Sequence, residues 1–413
     1  MTAVLLDAGP DAGLAWHHGD PLREQAWMED GSGVVDLSSL DVLRISGADR
    51  LRYLHLLCTA SVEGLCAGQS ASAYFLDAHG RILWGLVLVE TGEEVWAWTE
   101  PGCGAALAEH LEKMKFRLDV SAQVRPDMAV VWVGSLIGPP QAMGTLRVGP
   151  VVCRSVLGGS QIVVPRSQVG EYVGSGRRVG LWAYTALRIA EGIARVGVDT
   201  DERTIPNELG VPSSEVSVDK GCYPGQETVA KVRNLGAPPR KLVRLHLDGS
   251  GEELPEVGAD VWECGADVGV SGSVASKTGQ AASGESGDRE IGSVAGESGS
   301  ESGSGVAGTS GHCETGQTAG GAAGDGVGKV VAGASGSEDA DVFKPAAKPV
   351  GRLGSVAYHH RLGPIGLALL DRKVEDKGTV MVGDIPATVE VLVHVEARAV
   401  SHSVRTNLSL GRR

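Results

Sequence analysis

Apolar and polar positions alternate along this chain in short blocks, some with a period near two residues and others near 3.6. VVDLSSLDVLRISG (34–47) is rich in Val and Leu and ends at a glycine, which predicts one or two short strands closing at Gly47. Leu51, Leu54 and Leu57 then recur at helical spacing, and Asp49 sets a carboxylate in the first turn, so 48–58 is expected to be a helix. ASAYFLDAHGRILWGLVLVE (71–90) reads as a strand pair turning at 77–81, around His79 and Gly80. Leu107, Leu111 and Met114 form the apolar stripe of a second helix near 103–117. Valine-rich runs at 128–134 and 145–164 read as strands. Residues 177–191 read as an amphipathic helix with Leu181, Tyr184 and Leu187 on one face. Further on, RKLVRLHLDG (240–249) alternates Val243, Leu245 and Leu247 against Leu242, Arg244 and His246, a strand with one buried face. Residues 350–372 hold short β runs punctuated by Gly351, Gly354, Gly363 and Gly366, and TVMVGDIPATVEVLV adds two more strands.

Two stretches break this rhythm. Residues 271–340 are dominated by Gly and Ser, with no aromatic, Leu or Met. Such a segment buries too little apolar area to offset its ordering entropy, so it is expected to be a disordered insertion within a small β domain. His312 and Cys313 fall inside it and read as incidental. The other is KGCYPGQETVAK (220–231), reached through a polar connection (197–219) too long for an idle turn. It holds an ammonium, a thiol, a phenol, an amide and a carboxylate in twelve residues. Gly221 lets the backbone turn or approach a ligand. Pro224 stiffens the loop. After Gly225 the pattern either opens a helix or runs as a short strand.

Length and composition bound the classes. A chain of 413 residues suggests two to three domains, and 42% hydrophobic content makes it globular. A net charge of −14 argues against a protein that coats nucleic acid. The start lacks a basic n-region, and no apolar run reaches the ~20 residues of a membrane helix, so the expectation is a soluble, cytoplasmic protein without membrane partners. Seven cysteines are scattered with no CxxC, which fits reduced thiols rather than a disulfide frame or a zinc site.

KGCYPGQE with the following TVAKV resembles the signature loop of YgfZ-type proteins, folate-binding relatives of the glycine-cleavage T-protein (aminomethyltransferase) implicated in maintaining iron–sulfur enzymes. HHGDPLREQ, VLRISGADRLRYLHLL, FLDAHGRILWGLVLV, LRIAEGIARVGVDTDERTIPNELG and GRLGSVAYHHRLGPIGLALL occur in the order such proteins show. The resemblance implies an α+β fold. Its T-protein-like body (14–239) would have two intertwined subdomains, followed by a C-terminal β-barrel (240–270 and 346–402) interrupted by the disordered insertion (271–345). The parts would close around a channel for tetrahydrofolate.

The resemblance makes Cys222 the working thiol; the other reading is a packed structural cysteine. Lys220 is near enough in sequence to supply a cation to it. Lys220, Tyr223, Gln226 and Glu227 are candidates to hold a pterin and its glutamyl tail, or else belong to a solvated turn. Glu191 is a further folate candidate, although in the T-protein pattern R-x-E-x-G the carboxylate comes one residue earlier, and one helical step turns a side chain by roughly 100°. Arg240 and Lys241 would reach the ligand tail or lie exposed at a strand start. Aminomethyl transfer needs a carboxylate near the reacting nitrogen, and the hairpin carries Trp84 and Gly85 where the transferases have acids, with Asp77 read as a turn residue. His17–His18 and His359–His360 invite a metal reading, but neighbours in a strand face opposite ways, so no stably bound metal is expected. The resulting expectation is a folate-binding assistant of iron–sulfur enzymes or cluster-assembly proteins, without direct nucleic-acid binding. The alternatives are a tetrahydrofolate-dependent aminomethyltransferase or demethylase, and a non-catalytic module with a vestigial pocket.

Overall fold

The computed structural model describes residues 3–137, 151–251, 253–264 and 348–392. The valine-rich blocks pair into two five-stranded sheets. One runs Val152–Arg154, Ser160–Pro165, Met128–Val133, Gly33–Asp36, Arg177–Val179. The other runs Ser70–Leu76, Ile82–Glu90, Glu94–Thr99, Asp41–Ser46, Ser121–Val124. The block 34–47 is divided between them: Gly33–Asp36 joins the first sheet and Asp41–Ser46 the second. The chain crosses back after Ser121–Val124 to form Met128–Val133, so the two halves are intertwined.

Strand alternation decides which core each side chain joins. Val42, Trp96 and Trp98 of the second sheet pack with Met128, Val130 and Trp132 of the first. Leu43, Ile45, Val95 and Ala97 face the other way, onto helices α2 (Arg50–Leu57) and α3 (Gly104–Met114), through Leu54, Leu107 and Leu111. The N-terminal helix α1 (Pro21–Glu29) starts at Asp20, whose side chain accepts from Arg23 N at 3.0 Å, followed by Pro21. The short α4 (Val169–Gly174) packs Val169 and Tyr172 on the first sheet.

One expected helix is shorter than its pattern. Arg177–Val179 pairs in parallel with Gly33–Val35, and only then does α5 (Leu181–Ala190) begin. The break falls at Gly180, where a Cβ would lie 2.3 Å from Trp16 O. That close crossing requires glycine and stops the helix from extending backwards.

The C-terminal strands close into a six-stranded barrel: Arg240–Leu247, Gly363–Asp371, Gly351–His359, Asp260–Glu263, Thr379–Val382, Ile385–Val391. Val243, Leu245, Leu353, Leu370, Val380 and Val389 fill it. The insertion predicted at 271–345 lies outside the described residues. Body and barrel meet at a buried joint. Arg188 of α5 pairs with Asp199 at 2.6 Å and donates to Ser355 Oγ of the barrel, while Ser355 N donates to the same Asp199 at 2.6 Å. Gly354 makes room, since its Cβ would fall 2.3 Å from Asp199 Oδ1.

Candidate functional site

After Gly225 the chain forms a helix, α6 (Gln226–Leu235), which settles the choice between helix and strand. The loop before it is braced from inside. Lys220 Nζ donates to the carbonyls of His55, Cys58 (2.6 Å) and Ala60 (2.9 Å). These are acceptors at and just past the end of α2, where helical carbonyls lack partners, and one ammonium has three donors. Burial pushes the pKa of Lys220 down. Its ammonium also lies 5.0 Å from the centroid of the Tyr223 ring, a cation–π contact. Gln226 Nε2 donates to Lys220 O at 3.2 Å and Val218 O at 3.4 Å, tying the loop across its base.

The loop seats on the hairpin turn. Gly225 has φ +77°, and a Cβ there would lie 2.6 Å from Gly80 Cα and 2.7 Å from Asp77 O. Gly80, at φ +82°, would in turn press a Cβ to 2.9 Å from Thr228 Cβ. Asp77 Oδ1 accepts from His79 N and Arg81 N, both at 2.8 Å, so this carboxylate shapes the turn. Between these braces Cys222 is exposed. A Cβ on Gly221 would meet nothing within 4 Å among the described residues, which leave the backbone beside the thiol open.

The other candidates are placed as follows. Tyr223 is 5% exposed, and its hydroxyl is buried with no hydrogen-bond partner among the described residues. Burial pushes that phenol up to about 12. Glu227 is exposed in the first turn of α6. Glu191 sits half-buried at the C-cap of α5. The Arg240 guanidinium contacts two carboxylates, Asp201 (2.6 and 3.0 Å) and Glu208 (2.9 and 2.9 Å). It holds Asp201 well below the usual carboxylate range. Lys241 Nζ donates to Val374 O at 2.6 Å.

The hairpin's second strand, Ile82–Glu90, offers no acid at Trp84 or Gly85. Trp84 packs against Phe75 and His110, and a Cβ at Gly85 would lie 3.0 Å from Val196 Cγ2 and 3.5 Å from Tyr74 Cε1. A carboxyl reaches this neighbourhood from elsewhere. Glu215 Oε2 lies 3.4 Å from the Tyr74 hydroxyl, and burial raises the Glu215 carboxyl to about 7. Thr59, fully buried, fixes both partners: its Oγ1 donates to Glu215 O (2.7 Å) and accepts from Tyr74 N (2.9 Å). Sequence reasoning missed Glu215. Its one signal was a lone carboxylate flanked by Val211, Val216 and Val218 inside a connection already marked as too long. Beyond the hairpin a recess of about 430 Å³ is lined by Ile82, Leu83, Val196, Asp201, Arg203 and Arg352 among others. Cys222 does not line it.

The class follows from the fold. Aminomethyltransferase T of the glycine cleavage system from Bartonella henselae has a similar structure, with a TM-score of 0.62 over 94% of this chain and 93% of that one, at 16% identity. The α+β body with its C-terminal barrel is therefore the T-protein fold. In sequence the chain is 22% identical over 275 residues to the mitochondrial aminomethyltransferase of Dictyostelium discoideum (55% of this chain, 68% of that one). It is 24% identical over 286 residues to the tRNA-modifying protein YgfZ of Yersinia pestis (64% of this chain, 86% of that one). A chloroplastic protein of Arabidopsis thaliana is 25% identical over 276 residues, and the match spans 60% of its length. No family model matches the chain. Fold and relatives together make this chain a YgfZ-type relative of the T-protein family.

Proposed function

We propose that this protein binds folate and assists the assembly, repair or maintenance of iron–sulfur cluster enzymes, with Cys222 as its working thiol. One observation carries the reading: the thiol is exposed on a loop whose other polar residues are largely engaged in holding it still. Lys220 and Gln226 act as positioning residues. Arg240 does the same at the base, through Asp201 and Glu208. The groups that would meet tetrahydrofolate or a partner are the Tyr223 hydroxyl and the Glu227 carboxylate, with Glu191 kept as a folate candidate on the resemblance alone. The Tyr223 hydroxyl is buried and lacks a hydrogen-bond partner among the described residues, as expected of a group awaiting a ligand atom. When bound, tetrahydrofolate supplies a carrier for one-carbon units. The protein works in the cytoplasm on iron–sulfur enzymes or their assembly proteins. The tRNA-modifying role in the Yersinia relative's name reaches this chain through client enzymes rather than direct RNA contact, in keeping with the net charge of −14.

Titration of the wild type and Cys222→Ser with tetrahydrofolate, alongside iron–sulfur enzyme activities in cells carrying each form, tests this. Equal folate affinity with enzyme activities lowered in the variant is expected. Full activity with Cys222→Ser refutes the thiol's role, and no folate binding by either form refutes the ligand.

A second reading, tetrahydrofolate-dependent aminomethyl transfer, has one observation in its favour. The acid missing from the hairpin is matched by Glu215, held against Tyr74 with a carboxyl near neutrality. Aminomethyl transfer by the purified protein, abolished by Glu215→Gln and retained by Cys222→Ser, would put this reading first.

A further inference from the structure

The fold treats the two histidine pairs differently. His17 packs edge-on against Trp182, and His18 N donates to Glu24 at 2.7 Å. His359, by contrast, ends the barrel strand Gly351–His359, and residues 360–362 turn back towards Gly363. The rule that neighbours face apart holds only while the strand continues. Here the turn swings both imidazoles to one side, with ring centroids 4.9 Å apart. Glu29, the last residue of α1, lies alongside. One carboxylate oxygen and one nitrogen of each ring all fall within 4.8 Å of one another.

The details favour a shared ligand over a closed set of hydrogen bonds. The two oxygens of Glu29 are divided: Oε1 accepts from Arg361, and Oε2 lies 3.2 Å from His360 Nε2. That nitrogen is nevertheless buried without a hydrogen bond among the described residues, so oxygen and nitrogen are close but not aimed at each other. The His359 ring is fixed by the backbone, since Nδ1 accepts from Arg361 N at 3.2 Å and Leu362 N at 3.1 Å. Two imidazoles and one carboxylate, converging within a few ångströms, form the donor set of open zinc sites.

We propose that Glu29, His359 and His360 bind a divalent ion of the zinc class, through Glu29 Oε2, His360 Nε2 and His359 Nδ1, whose lone pair would leave the two backbone N–H groups it now accepts from and turn to the ion. Arg361 keeps Oε1 and orients the carboxylate. Borderline cations that accept both imidazole and carboxylate fit; Ca2+ and Mg2+, which prefer oxygen, do not. Because α1 belongs to the body and the turn to the barrel, the ion would tie one to the other. Nothing in this proposal depends on the folate reading.

The test uses the full chain freed of metal by a chelator and titrated with Co2+, whose visible absorption reports coordination, followed by competition with Zn2+. One strong site that Zn2+ displaces is expected. Glu29→Gln, His359→Ala and His360→Ala should each weaken it at least about tenfold, whereas His18→Ala should leave it unchanged. Glu29 is a surface residue, so its variant should keep the wild-type circular dichroism spectrum and remain informative if a histidine variant unfolds. Zn2+ should also raise the melting temperature of the wild type but not of Glu29→Gln. Absence of a visible band, or equal binding by Glu29→Gln or His360→Ala, overturns the site. Equal binding by His359→Ala overturns that residue's place in it.

Discussion

Replacing Glu215 by Gln separates burial of a carboxyl from everything else the 211–219 segment does. The amide keeps the shape and can still meet the Tyr74 hydroxyl, 3.4 Å away in the wild type, but it cannot ionise. The carboxyl has an ordinary value of 4.5 and is raised to about 7 by burial. A raised acid favours its neutral form in the folded state. Its contribution is therefore fully present below pH 4.5 and is lost as the pH climbs from 4.5 through about 7. Above that, the folded state bears a constant cost of up to about 3 kcal/mol, at 1.36 kcal/mol for each pH unit between the two values. Urea unfolding of both forms from pH 5 to 8.5 reads this directly. The wild type should lose stability relative to Glu215→Gln across the interval, by about 2–3 kcal/mol, and run parallel to it above pH 8. Parallel curves throughout would mean that Glu215 ionises as a solvated acid and that the Tyr74 contact does not bury it.

Two further substitutions probe the frame around the thiol. Lys220→Met removes the ammonium from three carbonyls, and a loss of about 2–4 kcal/mol is expected together with faster protease cleavage near residue 220; a change below ~0.5 kcal/mol in urea unfolding would show that the brace carries no load. Gly225→Ala drives a methyl to 2.6 Å from Gly80 Cα at a left-handed φ, so it should cost about 2 kcal/mol or more, while Gly221→Ala, with open space around it, should be near neutral in the same thermal melts.

Local regularities made most of the framework readable. The hairpin at 70–90, helices α2 and α3 and the barrel strands follow from period, turn residues and glycines. The part that escaped depended on contacts distant in sequence. Arg177–Val179 looks helical on its own and becomes a strand because Gly33–Val35 lies beside it. Lys220 reads as a cation for a ligand or for the thiol, yet its partners are carbonyls about 160 residues earlier. Arg240 reads as reaching the ligand tail or as an exposed strand start, and in the fold two acids from the 201–208 stretch meet it. Glu215 is one of many surface-type carboxylates until Tyr74 and Thr59 enclose it. Composition says which groups are present in such a loop, whereas only the fold says which are already occupied.

The barrel strands Asp260–Glu263 and Gly351–His359 are antiparallel neighbours, and Val350 N donates to Val261 O at 2.8 Å. The chain thus leaves the sheet and re-enters it at adjoining positions, like a rope paid out and taken back through one port. Whatever is threaded there, long or short, puts no tension on the strands either side. This seam is accordingly where a cut or a change of length would leave the barrel's wall paired as before.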